Sequence, residues 1–152
     1  MIPLFWFRWL QVVTIGVMLY GAGLMVMPEL ALDFFSLVFF GETGGFQARY
    51  SQEAIEYIKF IHGDLGITII GWIVIVFMII NGPFRRGESG SWSMLAMSLT
   101  IWFVFGSVYS LYIGFWRNVV FNLLFLVLYT IPLIATRHHF NGKRSDAVNG
   151  KS

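Results

Sequence analysis

Four long apolar runs dominate this chain and leave few folds open to it. Leu10 to Met27 holds 18 residues without a charge, and Ile61 to Ile80 holds 20, interrupted by His62 and Asp64 near its start. Trp92 to Tyr112 holds 21 residues and Val119 to Thr136 holds 18, both uncharged. As helices these runs would be about 27–31 Å long, which matches the hydrocarbon thickness of a bilayer. A membrane β-barrel would instead need shorter segments of alternating polarity. The expected fold is therefore all-α: a bundle of four transmembrane helices forming one domain over residues 1–140.

Composition supports that reading. Hydrophobic residues make up 57% of the chain and charged residues 12%, whereas soluble domains carry about 25% charged residues. A water-soluble enzyme, a disordered tail and a disulfide scaffold are all excluded. The chain has no cysteine, so thiol redox chemistry and Cys-ligated metal centres are excluded as well.

The distribution of Lys and Arg predicts an orientation. Arg8, Arg85, Arg86, Arg137, Lys143, Arg144 and Lys151 fall on one side of the four runs, and Arg49, Lys59 and Arg117 on the other. Positive residues accumulate on the cytoplasmic side, so both termini are expected in the cytoplasm. Residues 141–152 read as a flexible basic tail at the anionic leaflet, with too few charges and no interleaved aromatics for nucleic acid.

The first loop has structure of its own. Glu29 to Phe40 is too short to span a membrane and too apolar to float free, so an amphipathic interfacial segment is expected. The glycine-rich run from Gly41 to Gly45 breaks it. Ser51 to Phe60 then resumes a helical pattern that should continue into the second span. Asn118 is a natural N-cap for the fourth helix, and Pro132 removes one backbone donor within it.

Two sets of residues stand out inside the spans. Gly106, Ser110 and Gly114 recur every four residues, a ladder of small side chains that lets a neighbouring helix approach closely, within the bundle or in a homodimer. Gly16, Gly21 and Gly23 on the first helix and Gly63, Gly66 and Gly71 on the second could act similarly. The other set is polar. Ionisable groups within a bilayer are costly, so they normally face the bundle or a wet cavity. Asp64, Thr68 and Gly71 share one helix face, with His62 turned about 200° away from Asp64. The expectation is that Asp64 faces the bundle interior and finds partners among Ser110, Arg117, Asn118 and Asn122. Asn118, Asn122, Tyr129 and Thr136 form a polar stripe on the fourth helix. Together His62, Asp64, Ser107, Ser110, Arg117, Asn118 and Asn122 make up a candidate polar pocket in the outer leaflet.

No nucleotide-binding, metalloprotease or hydrolase motif is present. His62 enters from one side while His138 and His139 lie at the other, so they cannot ligate one haem; no metal or cofactor is expected.

Arg8-Trp9-Leu10, the glycines at 16, 21 and 23, Pro28 and the glycine-rich entry His62-Gly63-Asp64-Leu65-Gly66 resemble the small bacterial four-helix membrane proteins grouped as DoxX-like. The resemblance spans about residues 8 to 136. It implies a bacterial inner-membrane location and no particular activity, and the long acidic first loop departs from it. Two functional readings stay open. The one the apolar bundle and the small-residue ladder favour is a non-enzymatic accessory or interaction subunit, whose partners are the bilayer and a second copy or another membrane protein. The other is a binding protein or enzyme for a lipid-like ligand, a hydrophobic small molecule held around Asp64 and Asn122.

Overall fold

A computed structural model describes residues 2–140, and the basic tail expected at 141–152 lies outside them. The described residues contain helices and turns with no strand. Helix α1 covers Leu4–Val26, α2 Pro28–Phe40, α3 Gly45–Arg49, α4 Gln52–Ile79, α5 Ser89–Tyr112 and α6 Trp116–Thr136. A π-helical turn, Ile80–Phe84, continues α4 directly. Four helices are long and apolar enough to cross a membrane: α1, α4 with its π-turn, α5 and α6.

Local chemistry sets the ends. Pro28 cannot donate a backbone hydrogen bond, so α1 stops at Met27 and α2 restarts with Pro28 in its first turn, where the missing donor costs nothing. Ser51 caps α4 by accepting the Ala54 N–H at 3.4 Å. Its 28 residues run without a break from the first loop into the second span. The expected cap at Asn118 is corrected: α6 begins at Trp116 after Phe115, and Asn118 lies inside its first turn.

The cross-helix contacts show alternating directions. Gln11 pairs with Asn81 while Gly21 meets Gly66, so α1 and α4 are antiparallel. Trp92 reaches Leu133 while Asn118 reaches Ser110, which makes α5 and α6 antiparallel as well. Helix α1 packs along most of α4 and also against α6, and α5 packs on α6. Helices α4 and α5 scarcely touch. One core, built on Leu10, Ile73, Ile80, Phe84 and Leu133, closes the end of the bundle near the N-terminus. A second, built on Leu24, Leu32, Phe35, Phe46 and Ile55, joins α2 to the opposite end.

Small residues act more narrowly than their spacing suggests. At the α1–α4 crossing, a Cβ on Gly21 would sit 3.0 Å from the Gly66 carbonyl oxygen, and a Cβ on Gly66 would overlap the Gly21 carbonyl. Gly16, Gly23, Gly63 and Gly71 face nothing within 4 Å. The ladder on α5 marks no close crossing, since a Cβ on Gly106 would meet α6 only at an ordinary contact distance of 3.8 Å. Gly106 faces the Asn122 amide on α6 and Ser110 is buried, but Gly114 lies beyond the helix end at φ +85° with no neighbour within 4 Å. It turns the chain into α6, a conformation that favours glycine.

Pro132 leaves the Leu128 carbonyl without its helical donor. The Trp9 indole fills that role, donating to it at 2.9 Å from α1. The outer surface exposes Leu19, Val12, Phe105, Val108 and Ile134 among many large apolar side chains.

Candidate functional site

Because α4 and α5 diverge, a cavity of 560 Å³ opens between them, walled at the back by α1 and α6 and covered at one end by α2. That volume lies within the range of about 300–1,000 Å³ usual for small-molecule sites. Leu65, Tyr109 and Ile113 belong to its walls and are exposed on the outer surface, so the cavity communicates laterally with the surroundings of the bundle.

Its polar groups gather at the α2 end. The Asn118 side-chain amide donates to the Ser110 hydroxyl at 2.8 Å, and that hydroxyl donates to the Gly106 carbonyl at 2.7 Å. Asn122, one turn deeper on the same helix face, is buried and makes no hydrogen bond within the described residues. Opposite them, on α4, the His62 ring stacks on Phe35 of α2 with centroids 4.4 Å apart and planes 15° apart. Its Nδ1 is buried without a partner in good geometry, only the Ile58 carbonyl one turn earlier approaching it.

Deeper in, the walls are aromatic and aliphatic: Tyr20, Ile69, Leu99, Phe121 and Phe125, with Trp72 stacked near Trp102 at 6.2 Å. Two polar groups at this depth are paired, whereas the Tyr20 hydroxyl has no hydrogen-bond partner among the described residues. Trp72 donates to Ser98 at 2.9 Å, linking α4 to α5, and the Tyr129 hydroxyl donates to Thr14 at 3.1 Å. The cavity therefore runs from a group of polar side chains under α2 to an aromatic and aliphatic interior that also holds the Tyr20 hydroxyl.

Four of the predicted pocket residues line this space: His62, Ser110, Asn118 and Asn122. The other three do not. Asp64 is corrected outright. It is exposed on the outward face of α4 with Thr68 and Gly71, and neither bonds nor pairs with Arg117, Asn118, Asn122 or Ser110. The physical reason is rotation: Gly66 must face α1, and Asp64 is turned about 200° from Gly66 on a helix. Arg117 is exposed and turned toward α2; a Cβ on Gly41 would overlap its guanidinium, which places a cation beside the last carbonyls of that helix. Ser107 is buried without a partner, but away from the cavity walls.

Sequence reasoning overlooked the aromatic contribution of α2. Phe35 and Phe39 are four residues apart, one helical turn, and both line the cavity. That spacing was the available signal. The rest of α2 is held in place by polar contacts: Lys59 pairs with Glu29 at 2.6 Å, and Ser36 both donates to the Glu42 carbonyl and accepts the Gly45 N–H. Among the described residues no cluster of His, Asp or Glu could hold a metal ion.

Compared with protein-family models, curated proteins and solved structures, the chain matches none.

Proposed function

We propose that this chain is a membrane-embedded binding protein for a lipid-like ligand, held in the cavity between α4 and α5. One observation carries the proposal: a 560 Å³ cavity lined at one end by Asn122, which has no hydrogen-bond partner among the described residues, and by His62, whose Nδ1 is approached only by the Ile58 carbonyl of its own helix. Buried polar atoms are normally hydrogen-bonded, and a set of them facing one space marks where another molecule supplies the partners. The polar end lies where α2 packs over the bundle, at the level of Asp64 and the start of the span. A ligand's head would sit there, with its tail reaching the apolar interior or leaving sideways past Leu65 and Tyr109.

In this reading α2 lies in the interface of a bacterial inner membrane and both termini are cytoplasmic, which reporter fusions after Phe140 would check. That the chain is a DoxX-like protein is likewise proposed, on architecture and glycine placement alone. The test of the binding role is extraction. Protein purified in mild detergent should retain an amphiphile at about one per chain, detected by native mass spectrometry, and Gly106→Phe should expel it by filling the cavity. Wild-type protein carrying nothing beyond the background of the Gly106→Phe variant would defeat the reading.

A further inference from the structure

We infer that the cavity selects an uncharged amphiphile, with a hydroxyl- or carbonyl-bearing head, over lipids with phosphate or carboxylate heads. The inference rests on the cavity being a ligand site and adds the class of ligand. It begins with charge. Among the lining residues there is no Lys, Arg, Asp or Glu. None of the three cations at this end of the bundle lines the cavity. Arg49 pairs with Glu42 at 2.7 Å, Lys59 pairs with Glu29 and Glu56, and Arg117 lies against Gly41 and over the Trp116 ring. A phosphate or carboxylate entering between α4 and α5 would lose its hydration and meet no counter-charge, which is strongly unfavourable.

The groups that are present suit a neutral head. Asn122 offers both an N–H donor and a carbonyl acceptor, neither used by the protein. Asn118 donates one N–H to Ser110, and its amide carries a second donor. His62 presents an imidazole fixed by its stack on Phe35. Paired donors and acceptors of this kind match an alcohol, ester or ketone oxygen. Sites built from such groups discriminate sharply, because a wrong head leaves the buried amide unsatisfied. Below them the walls of Ile69, Leu99 and Phe125 accept hydrocarbon.

The experiment uses three amphiphiles sharing one oleoyl chain and differing in the head: monooleoylglycerol, oleate and oleoyl lysophosphatidylglycerol. Each is titrated against the full-length protein in detergent micelles at neutral pH, with bound copies counted by native mass spectrometry and Gly106→Phe setting the background. Monooleoylglycerol should bind at least about tenfold more tightly than either anion. Asn122→Leu should weaken it, whereas Asn122→Lys, which places a cation among the lining residues, should shift preference toward oleate. That shift is a change of specificity that lost packing alone would not produce. Should either Asn122 variant fail to fold, the wild-type head-group series still decides. Oleate or the lysophospholipid binding as tightly as the glycerol ester would overturn the inference while leaving the cavity a ligand site. Binding of none of the three above background would overturn both.

Discussion

Gly66 and Gly21 meet backbone to backbone where α4 crosses α1, and a Cβ on Gly66 would overlap the Gly21 carbonyl oxygen. Backbone cannot move aside as a side-chain end can, so one methyl forces the two helices apart. Gly66→Ala should therefore destabilise by about 1–3 kcal/mol, the usual range for overpacking. Gly63→Ala and Gly71→Ala, with nothing within 4 Å, should be neutral or slightly stabilising, because alanine favours helix. Thermal melts in detergent compare the three directly; equal effects would remove the special status of the crossing.

Trp9 and Pro132 form a second linked pair. The carbonyl of Leu128 accepts the Trp9 indole N–H because the proline ring has no N–H to offer it. Trp9→Phe should cost about 1–3 kcal/mol by leaving that carbonyl unsatisfied. In a Pro132→Ala background the helix supplies its own donor, so the cost of Trp9→Phe should shrink. A double-mutant cycle measures this, and strictly additive effects would contradict it.

Asp64 is exposed and unpaired within the described residues. Asp64→Ala and Asp64→Asn should both shift stability by less than about 0.5 kcal/mol, as for other surface changes. Neither should alter the amphiphile retained in the cavity. A large loss specific to Asp64→Ala would show that the carboxylate has a partner after all.

Ser36 holds the turn that seats α2. Its hydroxyl donates to the Glu42 carbonyl at 2.8 Å and accepts the Gly45 N–H at 2.6 Å, and the residue is fully buried. Ser36→Ala should lower stability by about 1–3 kcal/mol. Amide hydrogen exchange should rise first across Gly41 to Arg49, and the retained ligand should decrease as the α2 cover loosens. Protection unchanged in that segment would count against the role.

Much of the architecture was legible in residue order. The four apolar runs became four helices, Ser51 to Phe60 continued into the second of them, and Pro28 to Phe40 formed a separate helix. The polar stripe on α6 does face inward, but its members serve different ends: Asn118 and Asn122 line the cavity, Tyr129 bonds Thr14, and Thr136 bonds the Pro132 carbonyl of its own helix. The cavity's aromatic walls and the cover supplied by α2 were hidden, because they depend on which helices diverge.

Hydropathy by itself determined the number of helices long and apolar enough to cross a membrane. A helix crossing hydrocarbon satisfies its own backbone whatever its neighbours are, so a run of apolar residues is sufficient information. The rotation of each helix was another matter. In a soluble protein the apolar face marks the core, but here the outer surface is as apolar as the interior, and hydrophobicity does not distinguish them. On α4 the faces bearing Asp64, Thr68 and Gly71 and bearing His62 and Gly66 both carried a polar residue and a glycine. Only the contact of Gly66 with Gly21 decided between them, turning Asp64 outward and His62 into the cavity.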